Sequence, residues 1–240
     1  MQLDELTLVL PTRNEANNIA RFLASIPFNL QLIVVDASDD ETRAVIAALR
    51  PDNTCVLHHP GSVTEARQLA SEHARTEWLL FADADIEYPA NYFEQLAVLA
   101  DADVFYGPKL SHDEFVKYYR WFARGQRLCD KVGIPAATGS NLLMRRKALL
   151  AAGGFDLDLT CNEDSELVWR LKRRGFKTRF EPRLVVYATD HRRLRRGRMR
   201  KTIHSLLRCI LLFTDLMPVR WRRHDWGYWS STASDKQSRS

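Results

Sequence analysis

Runs of apolar residues alternate, along the first half of the chain, with stretches whose apolar positions recur every three or four residues. Leu6–Leu10 reads as a strand that Pro11-Thr12-Arg13-Asn14 breaks, and from Glu15 onward Ile19, Phe22, Leu23 and Ile26 recur at helical spacing. Gln31–Val35 is almost continuously apolar, as strands buried in a parallel sheet are, and it ends at Asp36-Ala37-Ser38-Asp39-Asp40. Ala44–Leu49 then reads as a helix, Cys55–Leu57 as a short strand, Val63–Ala74 as a helix and Trp78–Phe81 as a further strand. This alternation predicts an α/β fold, a parallel sheet covered by helices on both faces.

Ligands of such open sheets bind beyond the carboxyl ends of the strands. Three polar clusters fall there, Pro11–Glu15, Asp36–Asp40 and Asp83–Asp85, and the pattern puts all three on one edge. Asn14 or Ser38 alone would be an ordinary capping or turn residue. Asp83 and Asp85 are one residue apart at the end of an apolar strand, so they share a direction if the chain stays extended. That density of carboxylate suits a hard divalent cation, Mn²⁺ or Mg²⁺, shared with a diphosphate, although Asp-Ala-Asp alone also describes a plain acidic turn. No Gly-x-Gly-x-x-Gly follows the first strand and no Gly-Lys-Ser/Thr occurs, which argues against a dinucleotide fold and a P-loop.

In the second half, Asp103–Tyr106 reads as a strand and Phe115–Leu128 as a helix dense in aromatics. Gly139–Met144 reads as a loop entering a buried strand, and Lys147–Ala152 as a helix stopped by Gly153-Gly154. Asn162-Glu163-Asp164 opens a helix that ends at Gly175; acid in a first turn is also what the helix dipole favours. Leu184–Ala188 is a last strand, followed by Thr189-Asp190-His191-Arg192-Arg193. Ile203, Leu206, Leu207, Ile210, Leu211 and Phe213 then form an apolar helical stripe, which either packs on the domain or lies in a membrane interface. The tail from Trp221 to Trp229 mixes Arg, Trp and Tyr as interfacial anchors do, and Ser230–Ser240 reads as disordered.

The chain has 240 residues and ordinary apolar and charged fractions, enough for one large domain. Its net charge of +5 is unevenly spread, with basic groups at Arg192–Lys201 and Arg220–Arg223, so an anionic partner is expected at the C-terminal end. Four cysteines without a Cys-x-x-Cys pair argue against a zinc knuckle and suit a reducing compartment. Neither a targeting segment nor a span of about 20 apolar residues is visible, which predicts a soluble or peripheral protein, cytoplasmic or at the inner face of the membrane. The basic run comes without an RRM-like or zinc-finger pattern, so no nucleic-acid partner is expected.

Taken together, Leu10-Pro11-Thr12-Arg13-Asn14-Glu15, Val35-Asp36-Ala37-Ser38-Asp39, Ala66-Arg67-Gln68, Phe81-Ala82-Asp83-Ala84-Asp85, Gly153-Gly154-Phe155-Asp156 and Asn162-Glu163-Asp164-Ser165-Glu166-Leu167 resemble the family-2 glycosyltransferases of the GT-A fold, in order from about residue 5 to about residue 191. The resemblance implies a Rossmann-like, mostly parallel sheet over residues 1–191, with a basic amphipathic extension over 192–229 and a tail over 230–240. It implies a nucleotide-sugar donor, a divalent metal and inversion at the anomeric carbon. Pro11 and Glu15 would line the nucleotide site, Asp36 would meet the base with Arg67 nearby, and Asp83 would face the ribose and sugar. Asp85 would hold the metal and His191 complete it, although a lone His beside arginines also fits a solvated surface residue; Arg192 would clamp the diphosphate, whose oxygens a guanidinium matches bidentately. Asp164 occupies the family's general-base position, Glu163 orients the acceptor or caps the turn, and the segment with Gly139 and Asn141 approaches the donor sugar. One departure stands out: the family's second motif usually reads Asp-Asp-Gly-Ser, and this chain has Asp36-Ala37-Ser38.

The expected activity is metal-dependent, inverting transfer of a sugar from a nucleotide diphosphate to a hydroxyl or phosphate acceptor, with a lipid-linked acceptor and an anionic membrane surface as candidate partners. The alternative is a non-catalytic protein that binds a nucleotide sugar or an anionic lipid.

Overall fold

The computed structural model describes residues 1–99, 101–195 and 198–222; the aromatic tail beyond Arg222, the segment Ser230–Ser240, and Arg196 with Gly197 of the basic block lie outside the described residues. The first half runs β1 (Leu6–Thr12), α1 (Ile19–Ala24), β2 (Gln31–Asp36), α2 (Thr42–Leu49), β3 (Thr54–His58), α3 (Val63–His73) and β4 (Trp78–Ala82). The second continues with β5 (Ile86–Glu87), α4 (Tyr92–Ala97), β6 (Val104–Tyr106), β7 (Lys109–Leu110), α5 (Val116–Lys131), β8 (Asn141–Arg145), α6 (Arg146–Ala152), α7 (Glu163–Arg173), β9 (Thr178–Phe180), β10 (Val186–Ala188), α8 (Arg192–Arg195), α9 (Arg198–Phe213) and α10 (Val219–Arg222).

Seven strands form the main sheet in the order β3-β2-β1-β4-β8-β6-β9. β3, β2, β1 and β4 are mutually parallel, as the alternation predicts, while β8 runs antiparallel between β4 and β6. Successive side chains of a strand face opposite ways, and the core divides accordingly. Leu8 and Leu10 of β1, Leu32 and Val34 of β2, and Trp78 and Leu80 of β4 join Ile19, Phe22 and Ile46 on one face. Their neighbours Val9, Ile33, Val35, Leu79 and Phe81 join Ala66 and Ala70 of α3 and Leu167, Val168 and Leu171 of α7 on the other. Both faces being covered is why these strands read as nearly continuous apolar runs.

Local signals set the helix ends that matter for the site. At the start of α3, Ser62 Oγ accepts from the Glu65 amide at 3.2 Å and the Glu65 carboxylate accepts from the Ser62 amide at 2.6 Å, a reciprocal cap. Gly153 and Gly154, both at positive φ, end α6. Asn162 sits at φ 62° and turns the chain so that α7 starts with Glu163 and Asp164.

The chain passes from β1 to β2 and β3 on one side, then returns to β4 on the other, which makes the β1–β4 boundary a topological switch point. Pairing of β1 with β4 stops at Val9, whereas pairing with β2 continues through Pro11 to Thr12. Pro11 therefore lies where β1 has lost one neighbour, a place in a sheet that accommodates a residue without an N–H. A second, three-stranded sheet, β5-β10-β7, begins with β5 just after the carboxyl end of β4.

Candidate active site

Asp36 closes β2 and is fully buried. One carboxylate oxygen accepts from the Thr12 and Ser38 hydroxyls at 2.6 Å each, and the other accepts from the Ser38 amide at 3.1 Å and forms an ion pair with Arg43 Nε at 3.3 Å. Ser38 Oγ in turn accepts from the Asn14 amide at 2.8 Å. Where the resemblance assigns a base contact, Asp36 is turned inward and ties the loops after β1 and β2 together. Ser38, two residues on, folds back onto it in the segment that departs from the family's usual motif.

Arg67 of α3 is buried and reaches in two directions. Its Nη2 donates to Asp83 Oδ1 at 2.8 Å and its Nη1 to Glu163. Burial pulls its pKa down, but Glu163, Asp83 and Asp164 more than compensate, so the guanidinium is held firmly charged. Asp164, the neighbour of Glu163, accepts from the amides of Gly139 and of Ser165. Burial raises the pKa of both Glu163 and Asp164, for Glu163 to about 7. Three expected site residues, Arg67, Asp83 and Asp164, thus meet in one charged cluster between β4 and α7, with Glu163 as its fourth member. Gly139 leaves room there for the Arg67 guanidinium, which a Cβ at this position would push aside. Asn141, by contrast, is a brace: it accepts from Tyr92 Oη and donates to the Leu184 carbonyl, both at 2.6 Å.

Asp85 anchors a second cluster. Its carboxylate accepts from Lys109 Nζ at 2.9 Å, and its carbonyl accepts from the Thr189 amide at 2.8 Å. Arg192 bridges Glu15, at 2.7 Å, and Asp190, while Asn18 Nδ2 donates to Glu15 at 2.6 Å and to Asp190 at 3.3 Å. Burial raises the pKa of Glu15, and Asp85 pushes it the same way. The expected donor residues Glu15 and Arg192 are therefore in direct contact, within the field of Asp85. His191 is buried, with Nε2 2.9 Å from Asp113 and Nδ1 3.3 Å from Tyr119 Oη, so metal ligation by it would require one of these contacts to open.

Among the described residues no group of three or more His, Cys, Asp or Glu side chains is placed to hold a metal ion. Asp83 and Asp85 are hard oxygen donors, and Asp85 already holds a cationic partner in Lys109. This donor set fits Mg²⁺-like ions, which take one or two carboxylates and complete their shell with water and substrate phosphates. Lys109, Asn18, Asp113 and Asp190 were not singled out from sequence; none sits in a motif, and only Asp190, adjoining His191, had a positional signal.

Residues 7–151 match the sequence model of glycosyl transferase family 2, and residues 114–216 that of glycosyl transferase family 21. The succinoglycan biosynthesis protein ExoA of Rhizobium meliloti (strain 1021) is 31% identical over 206 residues, 74% of this chain and 62% of that protein. A pre-mycofactocin glycosyltransferase of Mycobacterium tuberculosis is 29% identical over 212 residues, 78% of this chain and 43% of that one. The chain spans less than two thirds of either relative. In fold it is similar to the mannosyltransferase PcManGT from Pyrobaculum calidifontis, solved with GDP-Man and Mn²⁺, at a TM-score of 0.68 and 20% identity over 94% of this chain and 71% of that one. It is likewise similar to S. aureus TarS 1-349 with UDP-GlcNAc, at a TM-score of 0.61 and 18% identity over 78% of this chain and 58% of that one. The architecture is GT-A, and the chain belongs to glycosyl transferase family 2.

Proposed function

We propose that this chain is an inverting glycosyltransferase that moves a sugar from a nucleotide diphosphate donor to a hydroxyl or phosphate acceptor, with Asp164 as general base. The observation that carries the reading is the Arg67 cluster, which joins Asp83, at the switch-point edge, to Glu163 and Asp164 at the start of α7. Attack at the anomeric carbon needs two differently charged surfaces. The attacking hydroxyl must lose a proton on one side, and on the other the departing diphosphate gains negative charge. Asp164 would serve the first: two backbone amides hold its carboxylate and burial raises its pKa, which supports a role in accepting the acceptor's proton. On this reading Asp83, Asp85, Glu15 and Arg192 serve the second, where Asp85 and Asp83 would hold Mn²⁺ or Mg²⁺. Such an ion neutralises charge on the diphosphate oxygens. The Arg192 guanidinium offers the same oxygens a second cation.

A membrane position and a lipid-linked acceptor are the second part of the reading, and α9 motivates them. Its inward face carries Ser205, Arg208, Cys209 and Leu212: Ser205 Oγ accepts from Asn162 at 2.9 Å, and Arg208 donates to the Cys161 carbonyl at 3.3 Å. Its outward face shows Ile203, Leu206, Leu207 and Ile210, each at least half exposed. The apolar stripe thus points away from the domain, beside a basic run, as an interfacial helix does. Among the described residues no helix is long and apolar enough to cross a membrane. Cys55, Cys129, Cys161 and Cys209 form no disulfide, as suits a reducing compartment.

The test is a panel of nucleotide sugars with Mn²⁺ or Mg²⁺, scored for binding and for slow hydrolysis. Release of nucleoside diphosphate from one donor class supports the reading; tight donor binding without any release would make the chain a binding protein instead.

A further inference from the structure

Lys109 and Asp85 form an ion pair that is mostly withdrawn from solvent, each side chain 16% exposed, with 2.9 Å between Nζ and Oδ1. Their backbones are fixed by a common neighbour. Lys109 pairs with Val186 of β10, Ile86 pairs with Ala188 of the same strand, and the Asp85 carbonyl accepts from the next residue, Thr189. The pair therefore spans the small sheet, and its separation is set by strand register, not by two flexible surface side chains. Around it lie Glu15, Asp190, Arg192 and the Tyr119 hydroxyl; burial raises the pKa of Tyr119, and Asp85 adds to the rise. On the proposed reading Asp85 is also the carboxylate that holds the divalent ion. An ammonium and a divalent cation cannot share one carboxylate at contact distance in a partly buried site without strong repulsion.

We propose that Lys109 is an internal counter-cation that occupies Asp85 in the unliganded protein and exchanges with the divalent ion only when the donor diphosphate arrives. The inference rests on the metal-dependent reading above. No covalent step is involved: the Lys109 side chain leaves Asp85 as the ion takes its place, and pairs with a phosphate oxygen. The arriving diphosphate brings the negative charge that lets two cations, Lys109 and the metal, coexist where one carboxylate could not hold both. Metal binding becomes coupled to nucleotide binding, and Lys109 becomes a specificity device against free metal as well as a partner for the diphosphate.

Mn²⁺ binding, read from the electron paramagnetic resonance of free Mn²⁺, tests this on the full chain without reference to turnover. The proteins are the unmodified chain, Lys109→Met, Lys109→Gln, which keeps a hydrogen bond to Asp85 without the charge, and Lys109→Arg, which keeps the charge. Each is titrated with and without GDP and UDP. Without nucleotide, both neutral variants should bind Mn²⁺ about tenfold more tightly than the unmodified chain, the effect of about 1.4 kcal/mol, and Lys109→Arg should not. With Mn²⁺ present, the neutral variants should bind nucleoside diphosphate more weakly. If every protein binds Mn²⁺ with nucleotide, but the neutral variants bind it no more tightly than the unmodified chain without nucleotide, the exchange is wrong and the metal reading stands. If nucleotide binds but Mn²⁺ binds to none of them in either arm, the metal reading falls and the exchange with it. Should Lys109→Met unfold, Lys109→Gln decides by the same criteria.

Discussion

Arg67 donates to Asp83 across 2.8 Å, and this one bond links the middle of α3 to the carboxyl end of β4, where the family motif begins. Its other nitrogen holds Glu163, separated from Arg67 by 96 residues. The guanidinium is consequently the tie between the donor edge of the sheet and the helix that carries the proposed base.

Removing that tie strands two carboxylates. Arg67→Met should destabilise the fold by about 3–5 kcal/mol, because breaking a buried pair leaves uncompensated charge, and Arg67→Lys should recover little since an ammonium cannot fork to both partners. Gly139→Ala should act in the same direction by pushing the guanidinium aside. Urea unfolding of the three variants measures this; a loss under about 1 kcal/mol for Arg67→Met would show that the cluster reorganises without it.

Asp164→Asn preserves shape and removes basicity. Donor and metal binding should survive while transfer falls by about a hundredfold to ten-thousandfold, the usual contribution of a positioned base. Single-turnover rates beside calorimetric donor affinities separate the outcomes. Transfer near the original rate would move the role to Glu163, and lost donor affinity would make Asp164 structural.

Stability should depend on pH in a direction set by Glu163, whose pKa burial raises from 4.5 to about 7. Below 4.5 the residue is protonated in both the folded and the unfolded chain, so it makes no difference there. As pH rises past 4.5 the unfolded chain ionises first and the folded state binds the extra proton, so stability falls until about 7, where the loss levels off. Asp164 and Glu15, also raised by burial, add to the slope. Glu163→Gln should therefore flatten the decline in thermal midpoint across this window in part, and an unchanged slope would assign it to other groups.

Vesicle flotation addresses α9. The unmodified chain should associate with anionic vesicles at low salt and release as salt rises, each nearby Lys or Arg contributing about 1 kcal/mol. Leu206→Glu and Ile210→Glu, at positions 59% and 50% exposed, should abolish association while leaving the thermal midpoint nearly unchanged. Equal flotation of variant and parent would remove the outward face from the account, and absence of flotation in the parent would favour a soluble acceptor.

Periodicity alone located the central strands and the helices that cover them, because burial on two faces leaves a local trace: Leu8 and Leu10 turn one way, Val9 the other, and all three must be apolar. Strand ends in an open sheet, where polar residues gather, pointed to Glu15, Asp83 and Asp85, the family resemblance pointed to Asp164, and the phosphate chemistry of a guanidinium pointed to Arg192. What those residues touch was not legible. Asp36 faces inward to Thr12 and Ser38, His191 contacts Asp113 and Tyr119, Lys109 covers Asp85, and α9 buries Ser205 and Arg208 while presenting Leu206 outward. Local pattern records which face of an element is apolar; the partner of a charge depends on where the chain returns, 24 residues later for Lys109 and 96 for Glu163, and only strand register and helix packing decide that.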